Sequence, residues 1–173
     1  VTEKLVPVMA CFYLVGGLVM LIANITNLPH AFALIFEGAF NPQAILGGAV
    51  GIGVREAMRY GVARGLFSNE AGMGSTPHAH AMAKVEKPQD QGVVAMVCVF
   101  IDTFVVLTIT ALVMITSGAL NVGDMAANPA AENMAQVAFS TVFGSFGNFY
   151  VAICLLFFAF STIIGWYFFG QSN

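Results

Sequence analysis

The chain has 173 residues, 58% of them hydrophobic and 9% charged, with a mean hydropathy of +0.84. Soluble domains carry roughly 25% charged residues, so this composition excludes an ordinary water-soluble domain and describes a membrane protein. A net charge of −3 without a basic block or acidic tail argues against nucleic acid as a partner.

The sequence opens at Val1 rather than methionine and closes at Asn173 just after an apolar run. No signal-peptide pattern precedes the first span, so an internal piece of a longer polypeptide is expected. The first element is Leu5 to Ile25, almost wholly apolar, with Pro7 near its start where a helix tolerates it. About 20 such residues span a bilayer core. Asn27-Leu28-Pro29 ends that span. His30 to Phe40 is too short to cross and has apolar residues at helical spacing, so 26–42 reads as an external loop with a short amphipathic helix.

Asn41 to Ala83 is too long for one perpendicular span and is rich in glycine. It predicts a broken helix: a first half from about Gln43 to Gly61, an interruption around Gly65 to Gly74, and a second half ending before Lys84. At membrane depth an interrupted backbone is tolerated only where it packs in protein or lines a watery cavity. The break therefore reads as a site.

Residues 84–91 form a charged loop, and Gly92 to Ser117 is a third span, apolar except for Asp102, Thr103, Thr108 and Thr110. Residues 118–148 suit an external loop with its own helix near Ala130 to Phe143, and Phe149 to Phe169 is a fourth span. Lys4, Lys84 and Lys87 place the chain start, the 84–91 loop and the chain end in the cytoplasm, because neither external loop carries Lys or Arg.

Charges at such depth need a cavity, a partner or the interface. Arg55, Glu56 and Arg59 fit a structural ion cluster near an interface at helical spacing, with a transport role as the alternative. Glu70 lies inside the break, either as a functional carboxylate or as a cap on freed amides. Asp102 is consistent with a cation ligand, a proton carrier or an ion-pair partner for an arginine. Ser161 and Thr162 offer adjacent hydroxyls that either ligate a hard cation or bond their own helix carbonyls. Cys11, Cys98 and Cys154 each lie in an apolar run, as small hydrophobes rather than disulfide halves. His78 and His80 point to different helix faces and make no metal pair. No nucleophile, base and acid trio has a local signature, so the chain reads as no enzyme.

The run from Gly61 to Pro77 (GVARGLFSNEAGMGSTP), followed by Ala79-His80-Ala81, closely resembles the most recognisable segment of the sodium:alanine symporter family. The likeness continues through Gln91-Gly92, Val99 to Thr103, Thr108 to Leu112 and Phe158 to Trp166, and so covers essentially the whole chain. Departures are small: Thr76 where the family has alanine, Ser161 where it has threonine, and Gln171-Ser172 where it has Glu-Lys.

The resemblance implies a prokaryotic cytoplasmic-membrane symporter of an all-α, leucine-transporter-type fold with two inverted repeats. This chain would supply roughly core helices five to eight, about four transmembrane helices including the broken sixth, and the helix near Ala130 to Phe143 would be an external lid. By the same implication Gly65, Phe67, Asn69 and Trp166 face a small amino acid, alanine or glycine, and Ser161 and Thr162 ligate sodium. Asp102 and Thr103, with Asn69, are candidates for a second ion position. No cofactor is implied beyond sodium as the co-transported ion. The competing expectation is a non-transporting membrane assembly module, with the glycine spacings serving helix association.

Overall fold

The computed structural model describes residues 2–40, 50–120 and 133–171, and every regular element among them is helical. Helix α1 covers Thr2–Ala23, with Pro7 in its second turn. A 3₁₀ turn, Ile25–Asn27, leads into α2, Leu28–Phe40. The broken pair is α3, Val50–Ser68, and α4, Ser75–Ala81. Next come α5, Pro88–Phe100, a π-helical stretch, Ile101–Leu107, and α6, Thr108–Thr116, which run on without interruption. Helices α7, Met134–Phe143, and α8, Ser145–Gln171, complete the chain.

Among the described residues three helical runs are long and apolar enough to cross a membrane: Lys4–Ala23, Pro88–Thr116 and Ser145–Gln171. The expected fourth, the broken segment, does not qualify by composition, because the 19 residues of α3 include Arg55, Glu56, Arg59 and Arg64. Its expected beginning, Gln43 to Ala49, lies outside the described residues, as do the side chains of Arg55 and Glu56 in the expected ion cluster.

Several boundaries shift from expectation. Proline fits the first turn of a helix, so α5 begins at Pro88 inside the expected 84–91 loop. The last span begins at Ser145 rather than Phe149, because Gly144 (φ 57°) makes the turn out of α7. Helix α7 is described from Met134; Ala130 to Glu132 lie outside the described residues.

The chain divides into two units, Val1–Val50 with Ile109–Ser161, and Gly51–Thr108 with Thr162–Asn173. In the first, Met20, Val113, Ala138, Phe139, Tyr150, Val151 and Cys154 form a buried cluster. Phe139 of α7 is 1% exposed and stacks on Tyr150 at 5.3 Å between ring centres. The helix expected to be a lid is thus anchored by its apolar face in the core of this unit. Tyr13 ties α1 to α6 through a 2.7 Å hydrogen bond with Thr110, and Asn27 Nδ2 donates to the Thr116 carbonyl. The second unit holds the break.

Outside these contacts the apolar surface is large: Val8, Ile22, Phe149 and Ile163 are each 68% exposed. In water such faces would drive aggregation. Against lipid tails they are the expected exterior of a multi-pass membrane protein.

Candidate functional site

Helix α3 persists through Gly65 and ends at Ser68, so the interruption runs from Asn69 to Gly74 and is shorter than the sequence predicts. A lone glycine weakens a helix by about 1 kcal/mol without ending it. The end is closed by two backbone bonds, from the Ala71 N–H to the Leu66 carbonyl (2.9 Å) and from the Glu70 N–H to the Phe67 carbonyl (3.1 Å). These are the paired bonds of a Schellman cap. The left-handed position such a cap requires falls on Glu70 (φ 51°), and Gly72 (φ 76°) and Gly74 (φ 82°) continue the reversal into α4.

The Glu70 carboxylate reaches forward. Its Oε2 accepts the hydroxyls of Ser75 and Thr76, each at 2.8 Å, and Ser75 is 3% exposed. Glu70 therefore caps the break, as one of the two expectations had it, but through side-chain hydroxyls. The carbonyls of Gly65, Leu66 and Phe67 are not bare in this arrangement: each accepts a hydrogen bond, that of Gly65 from both the Asn69 backbone N–H (3.2 Å) and Asn69 Nδ2 (3.0 Å).

Facing this turn is the π-helical stretch, with Asp102 and Thr103 at its start. Ser68 Oγ donates to Asp102 Oδ2 at 2.7 Å, and Thr103 Oγ1 donates to Asn69 Oδ1 at 2.7 Å. Two consecutive residues of one element thus grip two consecutive residues of the other. Successive side chains on an α-helix point about 100° apart; the wider π turn narrows that angle, which lets both Asp102 and Thr103 reach the end of α3. The partner the structure gives Asp102 is a hydroxyl, which selects none of the three readings open for it.

Together Ser68, Asn69, Glu70, Thr76, His80 and Asp102 line a cavity of about 210 Å³, closed on the α5 side by Ala95, Cys98 and Val99. His80 is fixed at its edge by Gln91, whose Nε2 lies 2.6 Å from His80 Nδ1. The lining mixes apolar and polar surface, with two carboxylates set among hydroxyls, and it suits a small solute bearing a positive group.

Of the sequence-predicted residues, Gly65, Asn69, Asp102 and Thr103 are brought together here. Phe67 contributes its carbonyl to the cap, while its side chain is 63% exposed. Trp166, on the part of α8 that belongs to the same unit, sits edge-on to Phe169 at 5.9 Å. Further along, Phe168 and Gln171 border a second cavity with His78, Ala81 and Met82. Ser161 belongs to the other unit, where its hydroxyl donates to the Phe158 carbonyl at 2.9 Å, with Met9 Sδ at 3.9 Å. That is the bond to its own helix that the sequence reading weighed against ion ligation. Thr162 follows it on the helix.

Sequence reasoning missed Ser68, the Ser75 and Thr76 pair as partners of Glu70, and the π-helical stretch. The first three are visible in the sequence as polar residues, Ser68 within the expected break and Ser75 and Thr76 just beyond it. The π winding carries no local signature.

A family model described as the sodium:alanine symporter family matches residues 1–173. An uncharacterized transporter of Haemophilus influenzae is 44% identical over 171 residues, 98% of this chain. A sodium/alanine symporter, AgcS, of Methanococcus maripaludis is 41% identical over 170 residues, also 98% of the chain. A sodium/proton-dependent alanine carrier protein of Bacillus sp. is 36% identical over 181 residues, 99% of the chain. The chain spans 37%, 36% and 40% of the lengths of these three relatives.

Proposed function

The chain belongs to the sodium:alanine symporter family, and from that premise we propose that it forms part of a symporter that moves a small neutral amino acid, alanine or glycine, into the cell with sodium. The observation that carries the reading is the broken helix: its turn is held from two sides, by Glu70 on Ser75 and Thr76 and by Asp102 and Thr103 on Ser68 and Asn69. Irregular backbone in a membrane protein marks a solute path when it borders a cavity that carries polar groups.

In this reading the fold is of the leucine-transporter type, with the chain supplying core helices five to eight and α2 and α7 lying on the external side. The amino acid binds beside Gly65, Phe67 and Asn69, bordered by Trp166. Sodium is held by Ser161 and Thr162, hard hydroxyl oxygens of the kind a monovalent cation prefers. To ligate the ion, Ser161 turns its lone pairs outward while keeping its proton on Phe158. Of the pair that the resemblance offers for a second ion position, Asp102 is kept as the proposed ligand, since it is a carboxylate lining the same cavity as Asn69, while Thr103 bonds Asn69 itself. Coupling follows if ion and amino acid each bind one state of the transporter better than the other.

The test is uptake of labelled alanine or glycine by the full-length transporter in proteoliposomes. An inward sodium gradient is expected to drive accumulation, and Asn69→Ala or Trp166→Ala to lower it about tenfold or more. Accumulation that ignores the gradient would remove sodium coupling. Uptake unchanged in both variants would favour the assembly-module reading.

A further inference from the structure

The Asn69 carboxamide has two N–H donors and two acceptor lone pairs. One donor is spent on the Gly65 carbonyl at 3.0 Å, and one lone pair on the Thr103 hydroxyl at 2.7 Å. The Gly65 carbonyl fixes which end is which, because an amide turned the other way would set two oxygens against each other. What remains on Asn69 is one N–H and one lone pair, next to the 210 Å³ cavity it lines. The side chain is pinned at both ends, yet keeps one donor and one acceptor to offer.

We propose that Thr103 is a positioning residue for substrate recognition: from the π-helical stretch it locks the Asn69 carboxamide so that the amide's remaining donor and acceptor meet the backbone groups of the amino acid. This rests on the reading of Asn69 as a substrate contact, and it assigns Thr103 to the amino acid through Asn69 instead of to an ion. Thr103 lies in the π-helical stretch beside Asp102. Asp102 beside it is already committed to Ser68, and the π winding brings the directions of these two side chains closer together than an α-helical turn would. Thr108 Oγ1 makes a long contact of 3.4 Å with the Thr103 carbonyl at the end of the same stretch.

The experiment is initial-rate uptake by the full-length transporter in proteoliposomes, with rates normalised to reconstituted protein. Thr103→Val keeps the shape and removes the hydroxyl. Its KM for the transported amino acid is expected to rise about five- to tenfold, as the loss of one orienting hydrogen bond predicts. Its kcat, and its sodium half-activation at saturating amino acid, should hold. Thr103→Ser should restore KM, and Thr103→Val should add nothing in an Asn69→Ala background, since the two residues act as a unit. Thr103→Ala, free of the β-branch, reads the same loss if Thr103→Val accumulates poorly. The inference is overturned by an unchanged KM, by a shift confined to sodium half-activation, which marks a direct ion ligand, or by additivity with Asn69→Ala. Uptake that is independent of sodium in the unmodified protein would instead strike the proposed function, and leaves the Thr103–Asn69 coupling in KM readable.

Discussion

Glu70 is the only non-glycine among the described residues with a left-handed backbone (φ 51°), and that geometry costs an L-residue about 1–2 kcal/mol. The helix-ending bonds from Ala71 and Glu70 fix the position, and the carboxylate offsets the strain by taking the Ser75 and Thr76 hydroxyls. Two variants separate backbone from side chain, because Glu70→Ala and Glu70→Gly both lose the carboxylate while only glycine escapes the strain. After allowance for glycine's greater freedom in the unfolded chain, Glu70→Gly should be the more stable by of order 1 kcal/mol. Thermal unfolding in detergent measures it, and an alanine variant as stable as the glycine one would remove the left-handed turn. The sequence shows a carboxylate inside the break and offers capping as one role for it. It does not show where the carboxylate points: glycines at 65, 72 and 74 draw attention to themselves, and the cap falls on the residue between them.

At the scale of the element, the apolar runs are legible because lipid demands them: each of the three long spans contains a run that hydropathy alone marks. Their ends are less so, since Pro88 and Gly144 start and stop helices inside segments that read as loops. The π-helical stretch escapes sequence reading altogether. Its side chains meet Ser68 and Asn69, 34 residues away in the sequence. Helix packing in the first unit is likewise settled by a pairing distant in sequence. The Tyr150 hydroxyl donates to the Phe12 carbonyl and rests on Gly16, where an added Cβ would collide with the hydroxyl oxygen and with the ring carbon bearing it. Gly16→Ala must push the ring out of a cluster in which Tyr150 is 5% exposed, and overpacking of this kind destabilises by about 1–3 kcal/mol. A lowered unfolding midpoint is expected, with Tyr150→Phe recovering only part of the loss because the ring still crowds the new methyl. A Gly16→Ala variant as stable as the parent would show that α1 and α8 do not meet there.

For the whole molecule the open question with the largest consequence is whether the broken segment crosses the membrane. All six basic residues fall at Lys4 or between Arg55 and Lys87. If α3 and α4 cross, the apolar stretch before Arg55 occupies the outer half of the bilayer and the arginines descend toward Lys84 and Lys87, on the face the positive-inside rule assigns to the cytoplasm. Lys4 then lies on that same face, two crossings away. If α3 does not cross, its charges rest at one interface, where a charge avoids the roughly 2.5–3.5 kcal/mol that insertion at a helix centre costs. One crossing by α1 then separates Lys4 from Lys87. The two arrangements are told apart by single cysteines at positions 4 and 87, both exposed in the structure, in a background with Cys11, Cys98 and Cys154 replaced. A membrane-impermeant maleimide applied to intact cells and to inverted vesicles should label both positions in the vesicles alone. Labelling of the two from opposite sides would mean that the broken helix does not span the bilayer, and the cavity at Asn69 would then open on a surface instead of along a path through it.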